Sequence, residues 1–271
     1  MKIIDAHMHF SNIQSFHKVS EQSKVDYSLA GFQSEYNGMI AIGMGLTETS
    51  DVFPSSDTPN PMKLDLDKNP ENMYVCLGYN PKVDLDIENF EQHITKNTVG
   101  LKVYAGYYHY HVHHEVYHPL YKVAEKYNLP VVIHSGDTFS KKGLLKYAHP
   151  LEIDELAHLF PNVTFIIAHF GDPWIMDAAE VASKNENVYV DLSGLIIGDE
   201  TDVERFKVDE FITHIKRGLV YLDNYDKVLF GTDWPLVAVK PYIEFIKDLV
   251  PTIYHEQVFY LNAKRVFKIK D

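Results

Sequence analysis

A single cysteine among 271 residues excludes an internal disulfide framework, and Cys76 lies inside the apolar run Met73 to Leu77, where a buried thiol is the ordinary outcome. A reducing compartment agrees with that. Positive charge is also scarce: 25 Lys and Arg stand against 38 Asp and Glu, a net charge of -13. Such a field repels nucleic acid and anionic membrane unless a local basic patch overrides it. The densest basic pairs, Lys141-Lys142 and Lys264-Arg265, are short and sit among acidic or apolar neighbours, so they read as solvated surface. No apolar run approaches the ~20 residues of a membrane span. The start, Met1-Lys2-Ile3-Ile4-Asp5, meets a carboxylate too early for the apolar core of a signal peptide. Together these absences predict a cytoplasmic protein acting on a small molecule, with neither nucleic acid nor membrane as partner. A homodimer is the default assembly, two-fold dimers being the commonest.

No low-complexity region, linker or strict repeat divides the chain, which is 45% hydrophobic, so residues 1–271 are expected to form one domain. Short apolar, β-branched runs recur at Lys2–Ala6, Met39–Gly43, Tyr74–Gly78, Gly100–Tyr104, Pro130–Ile133, Thr164–Ala168, Val188–Leu192 and Lys227–Phe230. Several are apolar on both faces, as covered parallel strands are. Helical spacing lies between them, as in Leu120, Val123, Ala124 and Tyr127, or Phe211, Ile215, Leu219 and Leu222. Ile87, Phe90, Glu91 and Ile94, and Ile153, Leu156, Ala157 and Phe160, repeat the pattern. Eight βα units in this length favour a closed (β/α)₈ TIM barrel over an open doubly wound sheet. An open sheet would more naturally carry a glycine-rich phosphate turn after its first strand, where this chain has His7-Met8-His9-Phe10. The stretch Gly45 to Asp67, rich in Ser, Asp, Pro and Thr, reads as a loop placed to cover the barrel mouth.

What the chain has in abundance is histidine, 15 residues. A His-x-His pair alone is weak evidence at that frequency, and His109, His111 and His113 supply two more. His7 and His9 differ by position: they close the first strand, where period-two geometry aims both imidazoles at one face, ~6–7 Å apart. His134 ends the fifth run, His169 the sixth, and Asp233 follows the eighth. Singly, each histidine is more often a hydrogen-bonded structural group and Asp233 a turn or capping residue. In a barrel, however, all C-terminal strand ends face one mouth, so the five converge. Imidazole and carboxylate without cysteine suit Zn²⁺ and related divalent ions at a catalytic site with an open position.

Asp5-Ala6-His7-Met8-His9, the paired ends His134-Ser135-Gly136-Asp137 and His169-Phe170-Gly171-Asp172, and Gly231-Thr232-Asp233-Trp234-Pro235 together resemble the amidohydrolase superfamily, in the branch that includes aminocarboxymuconate semialdehyde decarboxylase. Asn262-Ala263-Lys264-Arg265-Val266-Phe267 resembles that branch's short final helix. The resemblance implies that His7, His9, His134 and Asp233 bind a metal, Zn²⁺ or Mn²⁺, and that Asp233 also takes a proton from the attacking water. His169 would bind a second ion or polarise the substrate. At the fourth strand some members carry a carboxylated bridging lysine; Lys102 stands there, so one or two ions are implied. Its ordinary reading is a lysine that snorkels to solvent.

The activity expected is hydrolysis of a C–N or C–O bond in an amide, lactone or ester by an activated water, with Asp233 and His169 as the catalytic pair. Non-oxidative decarboxylation on the same scaffold is the alternative, and a non-catalytic metal-binding barrel the second. Decarboxylation wants a grip on a carboxylate, and Arg205, Arg217 and Arg265 all fall in helical segments, which tilts the reading toward hydrolysis. Tyr107, Tyr108, His109, Tyr110 and His111 are candidate substrate readers, whereas His113, His114 and His118 read as structural. Ser135, Asp137 and Asp172 are candidate partners that orient the imidazoles.

Overall fold

The eight apolar runs become eight parallel strands hydrogen-bonded in chain order: β1 (Ile4–Met8), β2 (Ile40–Met44), β3 (Met73–Tyr79), β4 (Thr98–Val103), β5 (Val131–Ile133), β6 (Phe165–Ile167), β7 (Val188–Asp191) and β8 (Val228–Leu229). This computed structural model describes residues 1–10, 14–45 and 70–270. The segment expected to cover the mouth falls, from residue 46 on, outside the described residues. The ring is closed by main-chain bonds beyond the paired ladders: Ala6 N–H donates to the Phe230 carbonyl at 2.9 Å and Asp233 N–H to the His7 carbonyl at 2.8 Å. The architecture is the (β/α)₈ barrel.

Around it run α1 (Gln14–Ser23), α2 (Leu29–Glu35), α3 (Ile87–Glu91), α4 (His118–Tyr127), α5 (Leu151–Leu159), α6 (Ile175–Lys184), α7 (Glu200–Phe206), α8 (Asp209–Leu222), α9 (Val239–Leu249) and α10 (Asn262–Val266). Local chemistry starts several of them. Ser28 caps α2 by accepting from Gly31 N–H, and Asp199 with Asp202 forms a reciprocal capping box at α7. Ile94, expected in α3, lies past its end, because that helix stops at Glu91.

Strand alternation splits the apolar residues into two bodies. Leu101, Val103, Val131, Ile133, Val188 and Val190 face the helices, in the larger cluster with Phe165, Phe245 and Val258. Ile4, Ala6, Ile42, Cys76, Val132 and Leu229 fill the lumen, whose lower end is packed by Ala263, Val266 and Phe267. Cys76 is fully buried, as its apolar run predicts, and burial pushes its thiol pKa up.

This alternation decides which polar residues enter the barrel. Lys102 lies between outward Leu101 and Val103, His134 follows inward Val132, and Asp191 follows outward Val190. In β1 the pairing advances three residues, Asp5 to Met8, against two in β2, Ala41 to Gly43. That extra residue is a bulge, which lets Ala6 and His7 both face inward while Met8 joins the outer core. The sequence expectation set this strand two residues early, so His7 lies within it rather than at its close.

Candidate active site at the barrel mouth

His7, His9, Lys102, His134, His169 and Asp233 all line one cleft of about 540 Å³ at the C-terminal ends of the strands. The rings of His7 and His9 are 5.5 Å apart between centroids, and those of His7 and His169 are 4.9 Å apart. Asp233 Oδ1 lies 2.9 Å from His9 Nε2 and 3.5 Å from His7 Nε2. Ligand-type atoms of His7, His169 and Asp233 come within 4.8 Å of one another. His134 joins through His169: its Nδ1 is 3.2 Å from His169 Nε2.

The hydrogen bonds behind the rings fix their tautomers. His7 Nδ1 donates to Asp191 Oδ2 at 2.9 Å, His134 Nε2 to the Asp137 carbonyl at 2.8 Å, and His169 Nδ1 to the Ser193 carbonyl at 3.1 Å. In each ring the other nitrogen then carries a lone pair into the mouth. Burial lowers the pKa of His7, His9, His134 and His169, the last to about 4, so protons do not occupy those positions at neutral pH. Burial alone would raise the Asp233 pKa, but His9, His169 and His7 around it win and hold the carboxyl well below the usual range. Lone pairs of His134 and His169 facing each other at 3.2 Å repel unless an electropositive group lies between them. Neutral imidazoles and an ionised carboxylate are the donor set of a divalent cation, so the residues present fit one.

Two of these side chains are held by strained backbone. His169 has φ 59° and Asp233 φ 66°, left-handed values that cost a non-glycine residue roughly 1–3 kcal/mol each. Asp233 is kept there by its N–H bond to the His7 carbonyl, so the ends of β1 and β8 position each other. Gly194 (φ 64°) backs onto His169 so closely that an added Cβ would lie 2.8 Å from Nδ1 and 3.1 Å from an Asp233 carboxylate oxygen.

Lys102 does not snorkel. It is 1% exposed, its Nζ is 3.3 Å from His7 Nε2, and burial lowers its pKa to about 8 against the pull of Asp191 and Asp233.

The orienting residues are not those expected. The Ser135 hydroxyl donates to the Ala148 carbonyl, the Asp137 side chain caps Thr138 N–H, and Asp172 pairs with His214 at 3.1 Å. Of the three, only Asp137 meets an imidazole of the mouth, and it does so through its main chain. Asp191 does the work instead: besides His7, it accepts from His169 N–H and Ser193 N–H, each at 3.0 Å, and from Ser193 Oγ at 2.6 Å. Despite its burial, His7 and His169 hold its pKa below the usual range. A carboxylate ending the apolar strand Val188-Tyr189-Val190 was the available signal. Asp5 is a second such residue. Its oxygens accept from His7 N–H, Thr232 N–H, Tyr36 Oη and Thr232 Oγ1, tying β1 to the loop that carries Asp233.

Of the five expected substrate readers only Tyr107 lines the cleft, joined by Tyr104, Phe139 and Leu195. Tyr108 is buried, and His109 turns away to the Lys142 carbonyl at 2.9 Å. Arg205 of α7 also lines the cleft. A helical position therefore did not exclude it from the mouth, because the first helix after β7 runs along the rim.

A sequence profile of the family described as Amidohydrolase matches residues 4–269. No curated protein matches the chain. Among solved structures, an uncharacterized TIM-barrel protein from Bordetella bronchiseptica is 18% identical, with 99% of each chain covered and a TM-score of 0.74. A 2,6-dihydroxybenzoate decarboxylase from Rhizobium is 12% identical over 99% of each chain, TM-score 0.67. A probable 2-pyrone-4,6-dicarboxylic acid hydrolase from Acinetobacter baumannii, with citric acid bound, is 14% identical over 99% of this chain and 100% of its own, TM-score 0.66. At these identities the likeness establishes the shared barrel.

Proposed function

This chain belongs to the amidohydrolase family, and from that premise we propose that it is a metal-dependent hydrolase that cleaves a C–N or C–O bond of a small carboxylated molecule. The observation that carries the reading is Asp233, an ionised carboxylate 2.9 Å from His9 Nε2 at the floor of an open cleft, where a general base for water is needed. We assign one divalent ion, Zn²⁺ or Mn²⁺, to His7, His9, His134 and Asp233, with His169 beside it. Such an ion supplies Lewis acidity, lowering the pKa of water to about 7 and polarising a substrate oxygen.

Asp233 takes the proton of the attacking water and returns it to the leaving group. Neutral His169, its Nδ1–H committed to Ser193, turns Nε2 toward the reacting centre and orients the nucleophile. Asp191 keeps His7 in the required tautomer and anchors the main chain of His169 and of Ser193, whose carbonyl accepts from the His169 ring. Tyr104, Tyr107 and Phe139 give flat apolar walls, and Arg205 at the rim, which pairs with Asp202 at 3.0 Å, is the cation available to a substrate carboxylate. Lys102 is read as a free amine beside His7, and on that reading we assign no lysine bridge to a second mouth ion.

Decarboxylation is the second reading, and Arg205 favours it, since the missing mouth cation that argued against it is supplied. A screen of carboxylated lactones, amides and hydroxybenzoates in ¹⁸O-water separates the two. Hydrolysis places ¹⁸O in the product without gas release, whereas stoichiometric CO₂ release without ¹⁸O incorporation at a cleaved bond overturns the hydrolase assignment.

A further inference from the structure

Outside the mouth, the described residues bring together one other set of metal-ligating side chains: His111 and His113 from the long β4–α4 connection and Glu152 from the first turn of α5. Glu152 Oε2 is 2.7 Å from His111 Nδ1 and 3.3 Å from His113 Nδ1. The two imidazoles are stacked at 5.3 Å with 16° between their planes, so both Nδ1 edges turn to the same carboxylate. Glu155, one turn further along α5, has a carboxylate oxygen 3.8 Å from His113 Nδ1.

An ordinary His–Glu hydrogen bond accounts for His111 but leaves His113 unexplained. Its Nδ1 is shielded from solvent and makes no hydrogen bond of acceptable geometry, although Glu152 is close. A buried donor or acceptor without a partner costs about 1–3 kcal/mol. A bound ion removes that cost. Around a tetrahedral ion with ligands at ~2.1 Å, adjacent ligand atoms are ~3.4 Å apart. The 3.3 Å separation of His113 from Glu152 already meets that spacing, and the 2.7 Å pair needs only a small side-chain rotation to widen.

We propose that His111, His113 and Glu152 form a second, peripheral divalent-metal site, with Zn²⁺ as the best match to two imidazoles and one carboxylate. It is independent of the mouth and holds whichever reaction the mouth performs. The ion clamps the β4–α4 connection to α5. That connection also carries Tyr107, which lines the cleft and accepts from Phe139 N–H at 2.8 Å, so the clamp braces one wall of the substrate site.

The test is Zn²⁺ titration of chelator-stripped protein, with bound metal counted after gel filtration. Wild type is expected to bind one equivalent more than His111→Ala/His113→Ala, and His7→Ala/His9→Ala to keep that equivalent while losing the mouth ion. Glu152→Gln, which keeps the side chain's size, should weaken the peripheral equivalent at least 10-fold. Should a variant fail to fold, hydrogen exchange on wild type decides instead: Zn²⁺ must slow exchange of the amides of 111–117 in addition to those at the mouth. Equal stoichiometry in wild type and His111→Ala/His113→Ala, or exchange in 111–117 unchanged by Zn²⁺, overturns the site.

Discussion

Asp233 concentrates the chemistry of the mouth in one side chain: ionised despite burial, fixed by the His7 carbonyl, and held at a left-handed φ of 66°. Asp233→Asn preserves size and removes the base, so kcat is expected to fall about 10³-fold with the fold intact. Steady-state kinetics and circular dichroism check this, and unchanged kcat contradicts it. Asp191 acts one step back. Asp191→Asn offers His7 an amide in place of a carboxylate and is expected to weaken metal binding about 10- to 100-fold, read by chelator competition. The direct residues were legible in the sequence because each lies near or just past the C-terminal end of a recognisable strand. Asp191 was not singled out, since an aspartate at a strand end looks the same whether it caps a turn or braces an imidazole. Lys102 was legible only as a position: the period-two alternation that turns it inward is clear, but the packing that denies it solvent is tertiary.

At the scale of elements, the site depends on how β1, β7 and β8 end. Asp5 joins β1 to the β8 loop through the two hydrogen bonds it accepts from Thr232, beside those from His7 N–H and Tyr36 Oη. Asp5→Ala leaves His7 N–H and Thr232 N–H without that partner and is expected to cost roughly 3 kcal/mol of stability, measured by denaturant unfolding. Gly194→Ala acts on the β7 loop: at φ 64° its new Cβ meets His169 Nδ1 at 2.8 Å. Moving that ring by even part of an ångström is expected to lower kcat about 100-fold, and the left-handed φ, at roughly 1–3 kcal/mol for a non-glycine residue, to lower the melting temperature by several degrees. Strand existence and order were readable from the apolar runs to within a few residues. The β1 bulge was not, because it arises from pairing with β2 and leaves no mark on the local pattern. The aromatic and histidine run after β4 misled in the same way. Loop conformation decides that Tyr107 enters the cleft while Tyr108 is buried and His111 faces α5.

For the whole molecule, among the described residues no helix is long and apolar enough to cross a membrane. The burial of four imidazoles in one mouth also gives the metal-free protein an acid sensitivity. His169 titrates at about 4 in the folded chain and the other three below the ordinary 6.5. Between about pH 4 and pH 6.5 the unfolded chain therefore binds more protons than the folded one. Stability from these groups is fully present above 6.5 and is lost as pH falls toward 4. Asp5, raised to about 7 by burial, opposes this, since its contribution is present below 3.8 and lost as pH rises through 7. Four imidazoles outnumber one carboxyl, so the melting temperature of stripped protein is expected to rise from pH 4.5 to 6.5. A fall across that interval would contradict the neutral-imidazole assignment on which the donor set rests.

The central claim is that the mouth holds a catalytic divalent ion. Metal analysis of the purified protein beside His7→Ala/His9→Ala tests it most directly. The account predicts that wild type carries Zn²⁺ or Mn²⁺ in the mouth and that the variant has one equivalent less with its fold retained. Equal metal content in the two proteins would contradict it.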